Sequence, residues 1–238
     1  MIVWLSSFPR SGNTFFRIAL QRFYRVPTYV VYDVDGVAER IGTDLMDARD
    51  RPGTFEQMRA SPEVHFVKTH RRRDDPVIDD QDRAICLVRD GRDCVVSWAR
   101  LGTAGAAGEV DYPDRFAAEA KSIITRRDGG TASWGQNVLS WRKSAAPRSV
   151  WVRFEDLIVD PEGSVKAAVS EAAPELQPIA EGQVPTFDDL RRHDPSFFRA
   201  GKTGTYRAEL SEELHDLFWQ QPESAEAMQL LGYERKSA

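Results

Sequence analysis

Apolar positions along this chain fall into short runs separated by stretches of helical period. Met1-Ile2-Val3-Trp4-Leu5 is a continuous apolar run that passes through small polar residues into Phe15–Phe23, where Phe16, Ala19, Leu20 and Phe23 recur at the spacing of one helix face. The pattern predicts a buried strand, a tight loop and an amphipathic helix. Comparable runs at Val64–Lys68, Ala84–Val88 and Ser149–Phe154 predict three more strands, and helical spacing predicts helices at about 92–101, 114–127, 133–145, 161–173 and 211–220. Gly102–Gly108 reads as a flexible loop, and 174–186, with Pro174, Pro178 and Pro185, as an irregular connector. The alternation contains no repeat or low-complexity tract and no clear domain boundary. It predicts an α/β fold of one domain over 1–238, three-layered, with a central, mostly parallel sheet.

The first loop, Ser6-Ser7-Phe8-Pro9-Arg10-Ser11-Gly12-Asn13-Thr14, is where chemistry enters. A loop between a strand and a helix faces the free N–H groups of the first helical turn, and the helix dipole favours an anion there. Ser11, Asn13 and Thr14 add donors, Gly12 lets the backbone come close, and Arg10 brings a charge, so the segment reads as a phosphate-binding strand-loop-helix. Pro9 and Gly12 are also ordinary turn residues, and a plain polar turn is the alternative. It is not a Walker A loop, since the first Gly is absent and the basic residue precedes Gly12 instead of following it.

At 238 residues, with 32 Lys+Arg against 37 Asp+Glu, the chain has a net charge of −5 and no global basic signature for nucleic acid. Cys86 and Cys94 both sit in apolar runs, which argues against a disulfide framework. No stretch is apolar for long enough to span a membrane, and the N-terminal run is too short for a signal segment, so a cytoplasmic protein is expected. His, Cys and carboxylates do not cluster at metal-ligand spacing, and no metal is expected.

In open parallel sheets ligands bind beyond the carboxyl ends of the strands. Besides the Arg10 loop, those ends carry Lys68-Thr69-His70, then Arg89-Asp90 with Ser97 on the following helix, and Phe154-Glu155-Asp156-Leu157. A basic, glycine-rich stretch, Phe198–Arg207, comes late in the chain. Each has a plain explanation alone: a surface Arg89–Asp90 ion pair, a hydrogen-bonded histidine, an unordered loop at 198–207. Arg71, Arg72 and Arg73 beside Asp74 and Asp75 read as a solvated turn of mixed charge. Together, basic groups follow three strands and recur in one loop, all on one expected edge of the sheet.

These segments resemble, in order and with similar spacing, the sulfotransferases that use 3′-phosphoadenosine 5′-phosphosulfate (PAPS). Ser7–Thr14 is similar to the family's 5′-phosphosulfate loop, Lys68-Thr69-His70 to its Lys-x-His segment, and Arg89 with Ser97 to its 3′-phosphate pair. Ser133-Trp134 through Trp141 and Phe154–Leu157 resemble later core segments, and Arg199-Ala200-Gly201-Lys202-Thr203-Gly204 the C-terminal Arg-Lys-Gly-x-x-Gly loop. The resemblance implies transfer of a sulfuryl group to an acceptor hydroxyl or amine, leaving 3′-phosphoadenosine 5′-phosphate (PAP). His70 would be the base; Lys68 and Arg10 would stabilise the transferring group. Arg10, Ser11, Gly12, Asn13 and Thr14 would hold the 5′ group; Arg89, Ser97, Arg199, Ala200 and Gly201 the 3′-phosphate; and Phe15, Phe154 and Phe187 the adenine. As core aromatics these three have an equally simple role.

Some positions depart from the family pattern. Arg10 stands where lysine is common, which keeps the charge but makes a poorer proton donor. Ala200 replaces a lysine, and Phe15 and Tyr206 stand where tryptophan is common. The acceptor is expected to be a small molecule bound by 26–63 and 101–132, which contain Tyr29, Tyr32, Phe55, Tyr112 and Phe116, a composition that selects no particular compound. Two other readings stay open: a P-loop kinase using ATP, and a PAP- or PAPS-binding protein without turnover.

Overall fold

Three of the four apolar runs form strands buried on both sides, which leaves a parallel strand no polar face to alternate with, and the fourth, at Ser149–Arg153, is a half-buried edge strand. The computed structural model describes residues 1–143, 149–179, 182–198 and 201–235. Its strands are β1 (Ile2–Ser7), β2 (Thr28–Val30), β3 (His65–Thr69), β4 (Arg83–Val88) and β5 (Ser149–Arg153). They make one sheet in the order β2-β3-β1-β4-β5, parallel throughout. The edge strand β2 escapes sequence reading: three residues after Pro27 are too few to show a period.

Helices follow as α1 (Asn13–Tyr24), α2 (Gly36–Ile41), α3 (Phe55–Ala60), α4 (Gly91–Gly102), α5 (Tyr112–Thr125) and α6 (Trp134–Lys143). After β5 come α7 (Phe154–Val159), α8 (Pro161–Ala172), α9 (Phe187–His193), α10 (Tyr206–Glu209), α11 (Glu212–Gln220) and α12 (Pro222–Leu230). Alternate strand residues feed opposite layers. Val3, Leu5, Ile85 and Leu87 pack with Phe16 and Leu20 of α1 and Val165 and Val169 of α8. Ile2, Trp4, Ala84 and Cys86 face the other way, onto Met58 of α3 and Trp141 of α6. Val88 joins a third cluster with α4, α5, α11 and α12.

Three local expectations change. The single apolar face foreseen for the first helix understates its burial: Phe15, Arg17 and Ile18 are buried as well. The expected flexible loop is partly ordered, α4 running to Gly102 and a single 3-10 turn at Ala104–Ala106 burying Ala106. Arg89 and Asp90 form no surface pair. Asp90 caps α4 and is bridged by Arg92 at 2.7 Å, while Arg89 faces Asp93 at 3.9 Å, with all four side chains at most 10% exposed.

The topology decides where a ligand can bind. From β1 the chain builds β2 and β3 on one side, then crosses to β4 and β5 on the other, so the crevice lies beyond the carboxyl end of β1. Because all strands are parallel, the segments after β1, β3, β4 and β5 open on the same edge.

Candidate active site

The first loop is shaped by its backbone more than by its side chains. Arg10 and Gly12 both have left-handed φ, 71° and 93°, the kind of backbone turn from which anion-binding concavities are built. At Gly12 this conformation leaves no room for substitution, since a Cβ would stand 2.6 Å from the Phe154 ring. Gly12 caps α1 without any side-chain hydrogen bond, so the helix presents its N-terminus uncapped. The side chains of Ser11 and Asn13, read as donors to an anion, are turned inward. Ser11 Oγ lies 3.3 Å from Cys94 Sγ, and Asn13 Nδ2 donates to Leu5 O and Ser7 Oγ, which straps the loop to β1. Any part Asn13 plays toward an anion falls to its backbone, while the Ser11 N–H is already donated to Phe8 O at 3.3 Å.

Arg10 is also placed differently from expectation. Its Nε donates to Ser97 Oγ at 2.9 Å, Nη2 donates to Phe197 O at 2.6 Å, and the guanidinium lies 4.6 Å from the Phe197 ring centre. Two residues expected in separate pockets therefore meet at one spot.

At the end of β3, His70 is held by its backbone and its ring. Its N–H donates to the Tyr32 hydroxyl at 2.9 Å, and its carbonyl accepts from Asn137 Nδ2 at 2.9 Å. Nδ1 lies 2.8 Å from Ser7 O; a carbonyl only accepts, so Nδ1 carries the proton and Nε2 keeps its lone pair. The imidazole does not titrate near 6.5 as an exposed one does. Removal from solvent, then the charge of Lys68, push its pKa down to about 3, leaving it neutral at physiological pH.

Lys68, 5% exposed, has its pKa pushed down to about 8, chiefly by burial and partly offset by Asp35. Asp35 in turn receives Arg17 Nη2 at 2.7 Å, and Arg17 is fully buried. Sequence reading found neither Arg17 nor Asp35. The available signal was that Arg17, unlike Arg22 of the same helix, stands between two large apolar residues, Phe16 and Ile18.

Arg89, at the end of β4, has Nη1 on Arg10 O and Nη2 on Lys202 O, its guanidinium 4.5 Å from the Phe154 ring centre, and a buried Nε with no partner among the described residues. The C-terminal loop is fastened by Asp93, a fully buried carboxylate on α4. It accepts from Gly204 N at 2.7 Å, Tyr206 N at 3.0 Å and Thr205 Oγ1 at 3.0 Å. Asp93 also went unnoticed in the sequence, where it looked like one more charge in Arg89–Asp93. Gly201 packs against Phe187, and a Cβ there would stand 2.5 Å from that ring. Arg199 and Ala200 lie outside the described residues.

One cavity of about 460 Å³ joins these parts. Arg10, Gly12, Asn13 and Thr14 line it from the first loop, with Lys68 and His70 from β3 and Arg89 and Ser97 from β4 and α4. Phe15, Phe154, Phe187 and Gly201 complete the set brought together from the sequence reading, while Ser11 stands behind the wall. Phe197 and Phe198 line it too, unforeseen because nothing distinguishes them locally. Phe15 and Phe187 stack directly, with centres 4.6 Å apart and planes at 29°, and Phe187 meets Phe154 edge-on at 6.4 Å. A planar ring between Phe15 and Phe187 needs two gaps of ~3.5 Å each, so it requires α9 to move outward. A second, wider cavity of about 1170 Å³ lies across Asp35 and Tyr32, walled by β2, α2 and the segment before α3.

The fold matches solved structures over nearly the whole chain. A mouse sulfotransferase, SULT7A1, complexed with PAP, superimposes with a TM-score of 0.62 at 15% identity, over 98% of this chain and 89% of that one. Retinol dehydratase with retinol and PAP gives 0.58 at 16% identity, over 95% and 81%. The same enzyme with androsterone and PAP gives 0.58 at 18%, over 95% and 80%. At such identities the likeness is one of fold. No curated protein sequence matches the chain significantly. Residues 2–170 match the sulfotransferase domain family, and with the strand-loop-helix, Lys68-Thr69-His70 and Arg89–Ser97 segments all inside that span, this chain belongs to the sulfotransferase family.

Proposed function

We propose that the protein transfers a sulfuryl group from PAPS to a hydroxyl or amine of a small-molecule acceptor and releases PAP. The observation that carries this is the cavity itself. It combines an uncapped helix N-terminus, two arginines from different strand ends, a phenylalanine patch, and a neutral histidine beside a buried lysine. A phosphosulfate suits the first loop, a second phosphate suits Arg89 and Ser97, and the Arg89 Nε offers a donor that no described residue uses. Adenine suits the phenylalanine rings, with Phe187 moving off Phe15 to admit it. ATP, lacking a 3′-phosphate, would leave the Arg89 side of the cavity unmatched. PAP in the solved relatives, and retinol and androsterone in one of them, support a nucleotide donor and a small acceptor. The two cysteines are buried and unpaired, which supports a reducing, cytoplasmic compartment.

In this reading the acceptor approaches in line, its oxygen or nitrogen bonding to sulfur as the bond from sulfur to the bridging oxygen breaks. The electron pair of that bond stays on the PAP phosphate. His70 Nε2 takes the acceptor proton. Lys68 and the loop N–H groups stabilise charge on the transferring group and the leaving oxygen, and Arg10 adds its charge from the Ser97 side.

Titration calorimetry with PAP, ADP and adenosine 5′-phosphosulfate tests the donor. PAP should bind at least tenfold tighter than either. Arg89→Ala should weaken PAP by roughly ten- to a hundredfold, the loss of a charged hydrogen bond, and adenosine 5′-phosphosulfate much less. Equal affinity for all three ligands would refute the donor assignment; PAP selectivity without PAP release from PAPS across a panel of alcohols, phenols and amines would make this a binding protein.

A further inference from the structure

Lys68 is nearly enclosed. On the flanking strands its register partners are Leu5 and Val30, neither ionisable. The charged groups facing it are Arg17 from α1 and Asp35 at the start of α2, with His70 just past the end of its own strand. Asp35 is the one anion among them. Its Oδ2 accepts from Arg17 Nη2 at 2.7 Å, and its Oδ1 accepts from Val37 N at 3.2 Å and lies 3.7 Å from Lys68 Nζ. The side chains of Arg17, Asp35 and Lys68 are 0%, 10% and 7% exposed. Arg17 Nε is used on Thr28, and its Nη1 is buried without a partner among the described residues.

This arrangement is asymmetric. Asp35 is tightly bonded to Arg17, which cannot lose its proton, and only loosely to Lys68. At 3.7 Å the ammonium feels the carboxylate charge without spending a good hydrogen bond on it, so its N–H groups remain available to the cavity. Without Asp35, two buried cations would face one another, and the lysine is the one able to discharge.

We propose that Asp35 is a positioning residue for the reaction: anchored by Arg17, it holds the Lys68 ammonium charged and directed into the donor cavity. The inference rests on the proposed role of Lys68 at the transferring group. Asp35 also stands on the wall of the second cavity, so the segment that sets the charge of Lys68 is the one an acceptor would touch.

The test compares wild type, Asp35→Asn and Asp35→Glu. The asparagine is isosteric and can still accept from Val37 N; the glutamate keeps the charge. The ε-amine of Lys68 is followed by NMR of lysine-labelled protein, assigned with Lys68→Arg, and kcat is measured against pH with PAPS. In Asp35→Asn the Lys68 midpoint should fall by about one pH unit or more. The alkaline limb of kcat should move down by the same amount, and PAP affinity at pH 6 should stay within about threefold. Asp35→Glu should restore most of both shifts. An unchanged Lys68 midpoint in Asp35→Asn, or a loss of kcat at all pH values that glutamate does not restore, overturns the proposal. If PAPS is not the donor the kinetic arm is silent for every variant, but the NMR arm still reads Asp35 against Lys68, so the two ideas fail separately.

Discussion

At the residue scale, the state of two side chains follows from their surroundings and not from their type. His70 is neutral down to about pH 3 in the free protein, and Lys68 discharges near 8. A base must be unprotonated and the lysine protonated, so kcat/KM should be flat from about pH 5 to 7.5 and fall above about 8. An acid limb near 6.5, where free imidazole titrates, should be missing. A profile of kcat/KM against pH checks this, and a midpoint at 6.5 would mean that His70 is more solvated than the fold implies. His70→Ala should cut kcat by roughly a hundred- to ten-thousandfold while PAP affinity changes less than about twofold. Retained turnover in that variant removes His70 as the base.

Single elements carry the next level of control. The donor-side loop after residue 200 has no regular structure until α10, and what gives it a shape is Asp93 on α4, accepting from Gly204, Thr205 and Tyr206. Asp93 also lies 3.9 Å from Arg89, so one side chain places both a loop and a cation. Asp93→Asn loses one acceptor and the charge, and charged hydrogen bonds contribute ~1.5–3 kcal/mol each. PAP affinity should drop about tenfold or more, with faster proteolysis within 201–206 and little change in kcat at saturating PAPS. Calorimetry with PAP and without it tests the point; unaltered affinity and unaltered cleavage would leave Asp93 a core residue only.

For the whole molecule, the cavity gathers residues from Pro9 to Glu209, so nucleotide binding ties the two halves of the chain together. We expect 1–238 to unfold as one cooperative domain. PAP at a hundred times its Kd adds ~2.7 kcal/mol, which for a chain of this size raises Tm by about 5–10 °C. Calorimetric melting should show a single transition that shifts as a unit with PAP and much less with ADP. Two transitions, one of them insensitive to PAP, would divide the chain into separate domains.

The chain's own pattern determined the four long strands, the α/β class and the strand ends where cations gather, because these rest on short-range apolar runs and on glycine and charge placed next to them. Lys68, His70, Arg89 and Phe154 were legible for the same reason: each closes an apolar run or stands within two residues of its end. What lay beyond reach depends on partners far away in sequence. β2 exists because β3 is there to pair with it, and Arg17 is buried because Asp35 meets it. Asp93 matters because a loop more than a hundred residues later folds back onto it, and Arg10 reaches Ser97 because β1 and β4 are neighbours. Packing in three dimensions also reversed the local expectation for Ser11 and Asn13, whose hydroxyl and amide bind inward. Periodicity records which face of an element is apolar; only the tertiary structure sets how deeply His70 and Lys68 are buried and which charges face them, and with that their protonation.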